Sequence, residues 1–474
     1  MGYIEIYILF FHLFLKKGLT NPKKIAAKPL NYNYFKEVSP MNFAFTVKSK
    51  LQMEILKLEQ HLPFFVKNPG HDFIRNRKLS FQKTIQFLLA TEGRSNKKEL
   101  LEFFHFSKDT PTASALCQQK AKLLPEAIET LFHHFNQAFP DTASSQGNRL
   151  IACDGTMLNI ATDPQDLENH FFNGEKGCNQ LHLDTLYNLC SKRYEDAVIQ
   201  PGKKHSECKA LANMVDRYEA DVRTIFLCDR GYECYNVFAH IEKKGMFYLV
   251  RAKDKNSNRI VSRLTVPETE EFDIQVHLEL TRKMTNKVKA ERDRYRVIAS
   301  KHPFDFLDKE HPFYPITFRV VRFAIGPKEK ETYECIITNL PQREFPASKI
   351  KELYNMRWGI ETSYRELKYA ADVAKLHAKK VEYIKQEIFA GLLLYNFSSI
   401  ITAHVIIDQK NRKHKVQPNY TIAIHICRYM FRCPAEGPPL DVEYLIGQNL
   451  LPIRKHRKYP RKIRAQRAAS FTYR

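Results

Sequence analysis

Two short apolar runs end in the same way. Leu150 to Cys153 stops at Asp154 and Gly155, and Ile225 to Cys228 stops at Asp229, with Gly231 close behind. Short continuous apolar runs bounded by glycine read as buried strands. In α/β sheets ligands bind beyond the strand ends. Two aspartates are thus placed where such a sheet holds its chemistry. Taken singly, each is equally a turn or helix-cap residue after a strand.

A third carboxylate comes from a helix. From Ala347 the residues are good helix formers with no Gly or Pro until Gly359, after a strand at Glu334 to Thr338 and a loop with Pro341 and Pro346. Tyr354, Arg357, Glu361 and Lys368 fall within roughly 60° of one another on a straight helix. That face lines up a phenol, a guanidinium, a carboxylate and an ammonium. A solvated surface carries mixed charge too. Beside two strand-end aspartates, however, the order suits one metal-binding carboxylate flanked by phosphate-binding cations. Hard divalent ions use carboxylates together with substrate phosphate oxygens.

Asp154 in D-G-T, Asp229 in D-R-G-Y, and then Y-x2-R-x3-E-x6-K over Tyr354 to Lys368 resemble the DDE transposases of bacterial insertion sequences. The chain is similar in particular to the subfamily named after insertion sequence four, from about Phe73 to the C-terminus. The resemblance implies an α/β fold: a ribonuclease-H-like catalytic core, a mixed sheet flanked by helices, with a β-rich insertion and an N-terminal helical domain. It implies Asp154, Asp229 and Glu361 as catalytic residues and ligands of two magnesium ions, which manganese can replace. Tyr354, Arg357 and Lys368 then contact DNA phosphates. The implied partners are the terminal inverted repeats of the element, the target DNA and a second copy of the chain in a dimeric synaptic complex. The implied place is the bacterial cytoplasm, on the nucleoid when bound to DNA, with no membrane association. A metal-dependent nuclease with the same core, or an inactive DNA-binding relic, would share part of this pattern.

The chain divides accordingly. Residues 1–40 read as an extension or a mis-called start; the apolar run Met1 to Leu15 holds Glu5 and His12 and is too short to span a bilayer. Residues 41–145 read as a helical DNA-binding domain. Its helices are expected at Glu54 to Leu62, Phe81 to Leu89, Lys97 to Phe103, Ser114 to Leu123 and Glu126 to Phe135, with Pro111 near the start of one of them. Arg75, Arg77, Lys78, Lys120 and Lys122 lend it basic charge. Residues 146–254 form the first part of the core, with paired strands at Leu181 to Leu189 and Ala197 to Gln200 and a helix at Glu207 to Tyr218. Strand alternation places His182 and Asp184 as readily as a catalytic role would. Residues 255–341 alternate apolar with charged side chains, as in F-D-I-Q-V-H-L-E-L, and read as the β-rich insertion. In some relatives an aromatic there holds a flipped base while the DNA end closes into a hairpin. This insertion has no Trp, the single Trp being Trp358, so that route stays open. Residues 342–435 complete the core, with Ala370 to Leu376 and Val381 to Ile401 continuing as helix. Residues 436–474 are a basic tail, either solvated or touching phosphate.

Composition agrees with a polyanionic partner. The formal net charge is +23 over 474 residues, which favours nucleic acid. The ten cysteines include no C-x-x-C pair, as in a reduced protein that uses Cys as a small hydrophobe. Cys178, His182, His205 and Cys208 have spacings that fit no standard zinc finger. No G-x-S-x-G or H-E-x-x-H points to a Ser or His mechanism.

Overall fold

The computed structural model describes residues 43–453, apart from 142, 173–176, 326–331, 411, 413 and 434–439. The expectations for the N-terminal extension and for the basic tail beyond residue 453 therefore lie outside the described residues.

Five helices come first: α1 (Phe43–Gln60), α2 (Phe81–Ala90), α3 (Asn96–Phe103), α4 (Ala113–Lys120) and α5 (Pro125–Ala138). Ser80 caps α2 and Thr112 caps α4, each accepting a backbone N–H through its hydroxyl. Pro111 thus precedes the cap of α4 and lies outside the helix.

The catalytic-core pattern follows as β1 (Arg149–Ile160), β2 (His170–Phe171), β3 (Cys178–Asn188), β4 (Arg193–Pro201), α6 (Glu207–Arg217), β5 (Thr224–Cys228), α7 (Tyr235–Lys243) and β6 (Phe247–Ala252). β1 runs antiparallel to β3 and parallel to β5, and β5 parallel to β6. This is the ribonuclease-H-like order. Next come β7 (Phe272–Thr281), α8 (Asn286–Ala290), β8 (Tyr295–Val297), β9 (Phe313–Ile325) and β10 (Thr332–Thr338). The expected β-rich segment does not make a sheet of its own. β10 pairs with β6, and the sheet continues through β9 and β7 to β8, so ten described strands share one sheet.

α9 (Ala347–Met356), α10 (Gly359–Tyr369) and α11 (Val381–His404) return over the sheet, followed by β11 (Val416–Pro418), α12 (Tyr420–Arg432), α13 (Val442–Gln448) and β12 (Leu450–Pro452). Side chains alternate along β1. Ile151 and Cys153 pack with α6 and α7, Leu150 packs with α9, and Ala152 belongs to the core shared with α10, α11 and the N-terminal helices. α11 is apolar nearly all round because it is buried between those helices and the sheet. No described helix is long and apolar enough to cross a membrane.

Two helical expectations fail. Ala370 to Leu376 is not helical: α10 ends at Tyr369, and Asp372 has a positive φ of 60°. Arg428 donates to Asp372 Oδ2 and to the Ala370 carbonyl, fixing that bend. Nor do Tyr354 to Lys368 lie on one straight helix. Arg357 N bonds to Tyr354 O and Ile360 N to Arg357 O, a tightened turn that separates α9 from α10. Gly359 sits there against Leu189, which a Cβ would meet at 2.8 Å.

Candidate active site

Asp154 continues β1 after Cys153, and Asp229 follows the last residue of β5. Cys153 and Cys228 are register partners in this parallel pair, so the two aspartates leave adjacent strands at the same level. Both turn to the face covered by α9 and α10. Glu361 enters from the first turn of α10, and Arg357 from the turn before it.

Arg357 is the centre of the cluster. It is 1% exposed, its Nη2 donates to Glu361 Oε1 at 3.2 Å, and both Asp229 and Asp154 act on its charge. Burial is the main cause that pushes the Asp154 carboxyl up to about 7. Arg357 and the Gly155 N–H oppose this, while Glu361 and Asp229 add to it. Several polar atoms here are buried without a hydrogen-bond partner: Asp229 Oδ1, Arg357 Nε and Nη1, and the Tyr354 hydroxyl. Such orphaned atoms are uncommon in a folded interior. A carboxyl raised mainly by burial, two further carboxylates near it and an aspartate oxygen that accepts no hydrogen bond form a donor set that suits divalent cations.

The remaining expected residues are all close to this cluster. Tyr354 packs with Leu150 and Ile225 and is 3% exposed. Lys368 Nζ donates to Thr156 Oγ1 at 2.7 Å and to the Met157 carbonyl at 2.9 Å, on β1 just past Asp154. Burial lowers its pKa and Asp154 opposes that.

Sequence reading missed two groups beside the site. Tyr364 donates its hydroxyl to the Asp154 carbonyl at 2.6 Å and meets Thr185 Oγ1 at 2.8 Å. Its place three residues after Glu361 on α10 was the available signal. Arg251, on β6, pairs with Glu334 at 2.7 Å and lies 4.0 Å from Asp229 Oδ1. No local pattern marked it. Lys120, one of the residues that lend the N-terminal helices basic charge, is buried against Glu387 at 2.5 Å.

Among the described residues, one set of three His, Cys, Asp or Glu side chains has ligand atoms all within 4.8 Å: His182, Asp184 and Glu207. It lies behind the sheet, on the α6 face. Asp154, Asp229 and Glu361 do not form such a set. His182 stacks on His205 at 4.1 Å. All ten cysteines are free thiols.

Residues 145–397 match the family model described as a transposase DDE domain. The chain is 22% identical over 355 residues to the transposase for insertion sequence element IS231F of Bacillus thuringiensis subsp. israelensis, covering 69% of each chain. It is 29% identical over 132 residues to the transposase InsG of insertion sequence element IS4 of Escherichia coli (strain K12), covering 25% of this chain and 29% of that one. A solved piggyBac transposase synaptic complex with hairpin DNA aligns with a TM-score of 0.41 at 12% identity, over 85% of this chain and 83% of that one, too distantly to add to the assignment. The family match takes in both strand-end aspartates, the turn with Arg357, and Glu361, and it spans more than half of the chain: the chain belongs to the transposases with a DDE domain.

Proposed function

We propose that the chain binds the terminal inverted repeats of an insertion sequence, cuts DNA strands at them and joins the freed ends to target DNA. Asp154, Asp229 and Glu361 are the catalytic carboxylates. The observation that carries this reading is their convergence, from two strands and a helix, on one buried guanidinium amid unpartnered polar atoms.

Two magnesium or manganese ions on Asp154, Asp229 and Glu361 would supply activation of the attacking oxygen and charge neutralisation at the departing alkoxide. Arg357 is fixed through Nη2 and holds phosphate with the N–H groups that lack a protein partner. Lys368 uses two protons on Thr156 and Met157, leaving the third for a phosphate oxygen. Tyr354 is assigned the hydrogen bond that positions the DNA backbone, its hydroxyl being without a partner. One site serves both hydrolysis and strand transfer, since only the nucleophile changes between water and a 3′-hydroxyl. The net charge of +23 supports DNA as the partner, and a dimer in the synaptic complex would pair the two element ends.

The test is divalent-metal-dependent nicking of DNA carrying candidate element ends, with wild type beside Glu361→Gln. Cleavage by wild type alone is expected. Equal cleavage by both removes Glu361 from the chemistry. Equal cleavage of DNA without terminal repeats reduces the protein to a nuclease.

A further inference from the structure

The glycines after the two strand-end aspartates face away from the cluster. Alternation turns Gly155 toward α6 while Asp154 turns toward α10. A Cβ on Gly155 would meet His182 Cε1 at 2.3 Å and Glu207 Oε1 at 3.0 Å, and a Cβ on Gly231 would meet Glu207 Oε2 at 2.4 Å. One carboxylate therefore lies against both main chains, one oxygen on each. Cys208, the next residue of α6, adds a contact from its Sγ to the Gly231 carbonyl at 3.4 Å. The turn it grips is short, with Tyr232 N to Asp229 O at 3.0 Å and Glu233 N to Arg230 O at 3.5 Å as its own hydrogen bonds.

Glu207 is itself held. His182 Nε2 faces its Oε1 at 3.5 Å, and His182 Nδ1 faces Asp184 Oδ2 at 3.0 Å. Gln200 Nε2 donates to Asp184 Oδ2 at 2.7 Å, and Gln200 Oε1 accepts from Ser206 N, the residue that caps α6. Asp184 is fully buried and opposite Gly155 in the β1–β3 register. Burial works against charge on His182, but its bonds to Asp184 and Glu207 outweigh this and push it up to about 9. An imidazolium between two carboxylates is a brace, with both ring nitrogens already used.

We infer that Glu207, held by His182 and Asp184, is a positioning residue that sets Asp154 and Asp229 against one another from the far side of the sheet. The inference rests on the proposed role of those aspartates as cation ligands. It also gives the two glycines a common cause: D-G-T and D-R-G-Y each leave out a side chain where this one carboxylate must fit.

The test is a manganese titration of the full chain followed by electron paramagnetic resonance, with melting temperature as the control for folding. Wild type is compared with Asp154→Asn, Glu207→Ala, Glu207→Gln and Gly231→Ala. Asp154→Asn should lose the bound ion. Glu207→Ala should weaken manganese affinity by about tenfold, the usual effect of losing a group that orients a ligand. Glu207→Gln keeps the length and both contacts and should return to within about threefold of wild type. Gly231→Ala should match Glu207→Ala, and it carries the test if that variant does not fold. If Asp154→Asn loses the ion while Glu207→Ala and Gly231→Ala keep wild-type affinity, the positioning role falls and the reading of the active site stands. If Asp154→Asn binds manganese like wild type, both fall. If Glu207→Ala alone abolishes binding, Glu207 is a ligand and not a positioning residue.

Discussion

Where α4 meets α11, Lys120 Nζ lies 2.5 Å from Glu387 Oε1, Glu387 Oε2 accepts from the His377 N–H at 2.7 Å, and His377 Nε2 faces Glu99 Oε1 at 3.3 Å. Around Arg357 the charges are also buried, yet Asp229 Oδ1 and two guanidinium nitrogens have no partner. The first set is closed in charge: cation and carboxylate alternate from Lys120 to Glu99, and of its buried side-chain atoms only Glu99 Oε2 lacks a hydrogen-bond partner. The second is open, with three carboxylates around Arg357 and a second guanidinium, Arg251, no nearer than 4.0 Å to Asp229 Oδ1. The contrast separates charges that join the N-terminal helices to the core from a cluster with carboxylates in excess. It also shows in the pKa directions. Burial would raise Glu387, but the Lys120 charge and His377 bring it down to about 2. Asp154, with burial dominant and two carboxylates beside it, goes up to about 7.

The largest effect expected is at the open set. Asp154→Asn, Asp229→Asn and Glu361→Gln should each lower strand cleavage on the order of 1,000-fold or more while end binding in a gel-shift assay changes little. A variant that cuts at the wild-type rate is not a metal ligand. At the closed set the loss should be of stability. Glu387→Gln leaves Lys120 buried and unpaired and should cost about 3 kcal/mol in urea denaturation. A cost below about 1 kcal/mol, the range of an exposed pair, means that the junction is solvated.

The two sets should also answer pH differently. His377 is raised to about 10 from 6.5; burial opposes this, and its bonds to Glu387 and Glu99 outweigh it. Its contribution is full below pH 6.5 and is lost as pH rises toward 10. Glu387 is depressed from 4.5, so its contribution is present above 4.5 and lost as pH falls toward 2. Asp154 is a carboxylate raised from 3.8, so ionising it costs the metal-free fold stability as pH rises from about 4 through 7. Asp154→Asn should therefore stabilise the metal-free protein near pH 8, by about 1–2 kcal/mol after allowance for solvent screening. Thermal melts in chelator at pH 5 and pH 8 decide this, and an equal effect at both removes the electrostatic explanation. The smallest effect belongs to Lys368→Ala, which should reduce the salt slope of DNA binding by about one unit. An unchanged slope takes Lys368 off the phosphate.

What could be read from the sequence was local. Leu150 to Cys153 and Ile225 to Cys228 advertise themselves because strands buried on both faces need unbroken apolar runs, and all eight side chains are buried. Ala370 to Leu376 misled because its residues favour helix, while Gly391 of α11 lets Val373 come close enough that a Cβ would meet it at 2.2 Å. That packing, set more than fifteen residues away, overrides propensity. The bend at Arg357 has a similar origin in Leu189 against Gly359. The Glu207 brace was invisible because two of its members alternate on β3 and the third opens α6, more than twenty residues on, so that only the fold brings them together.

The parallel register of β1 and β5 has a mechanical meaning. Cys153 and Cys228 are locked side by side by main-chain hydrogen bonds, so the backbones that carry Asp154 and Asp229 stand about 4.8 Å apart whatever the side chains around them do. The spacing of the two strands is thus written in peptide groups, and Glu207 acts within it on the turns that follow. The third carboxylate has no strand pairing to fix it: it rides on a helix behind a turn, so its approach is set by how α10 packs on the sheet.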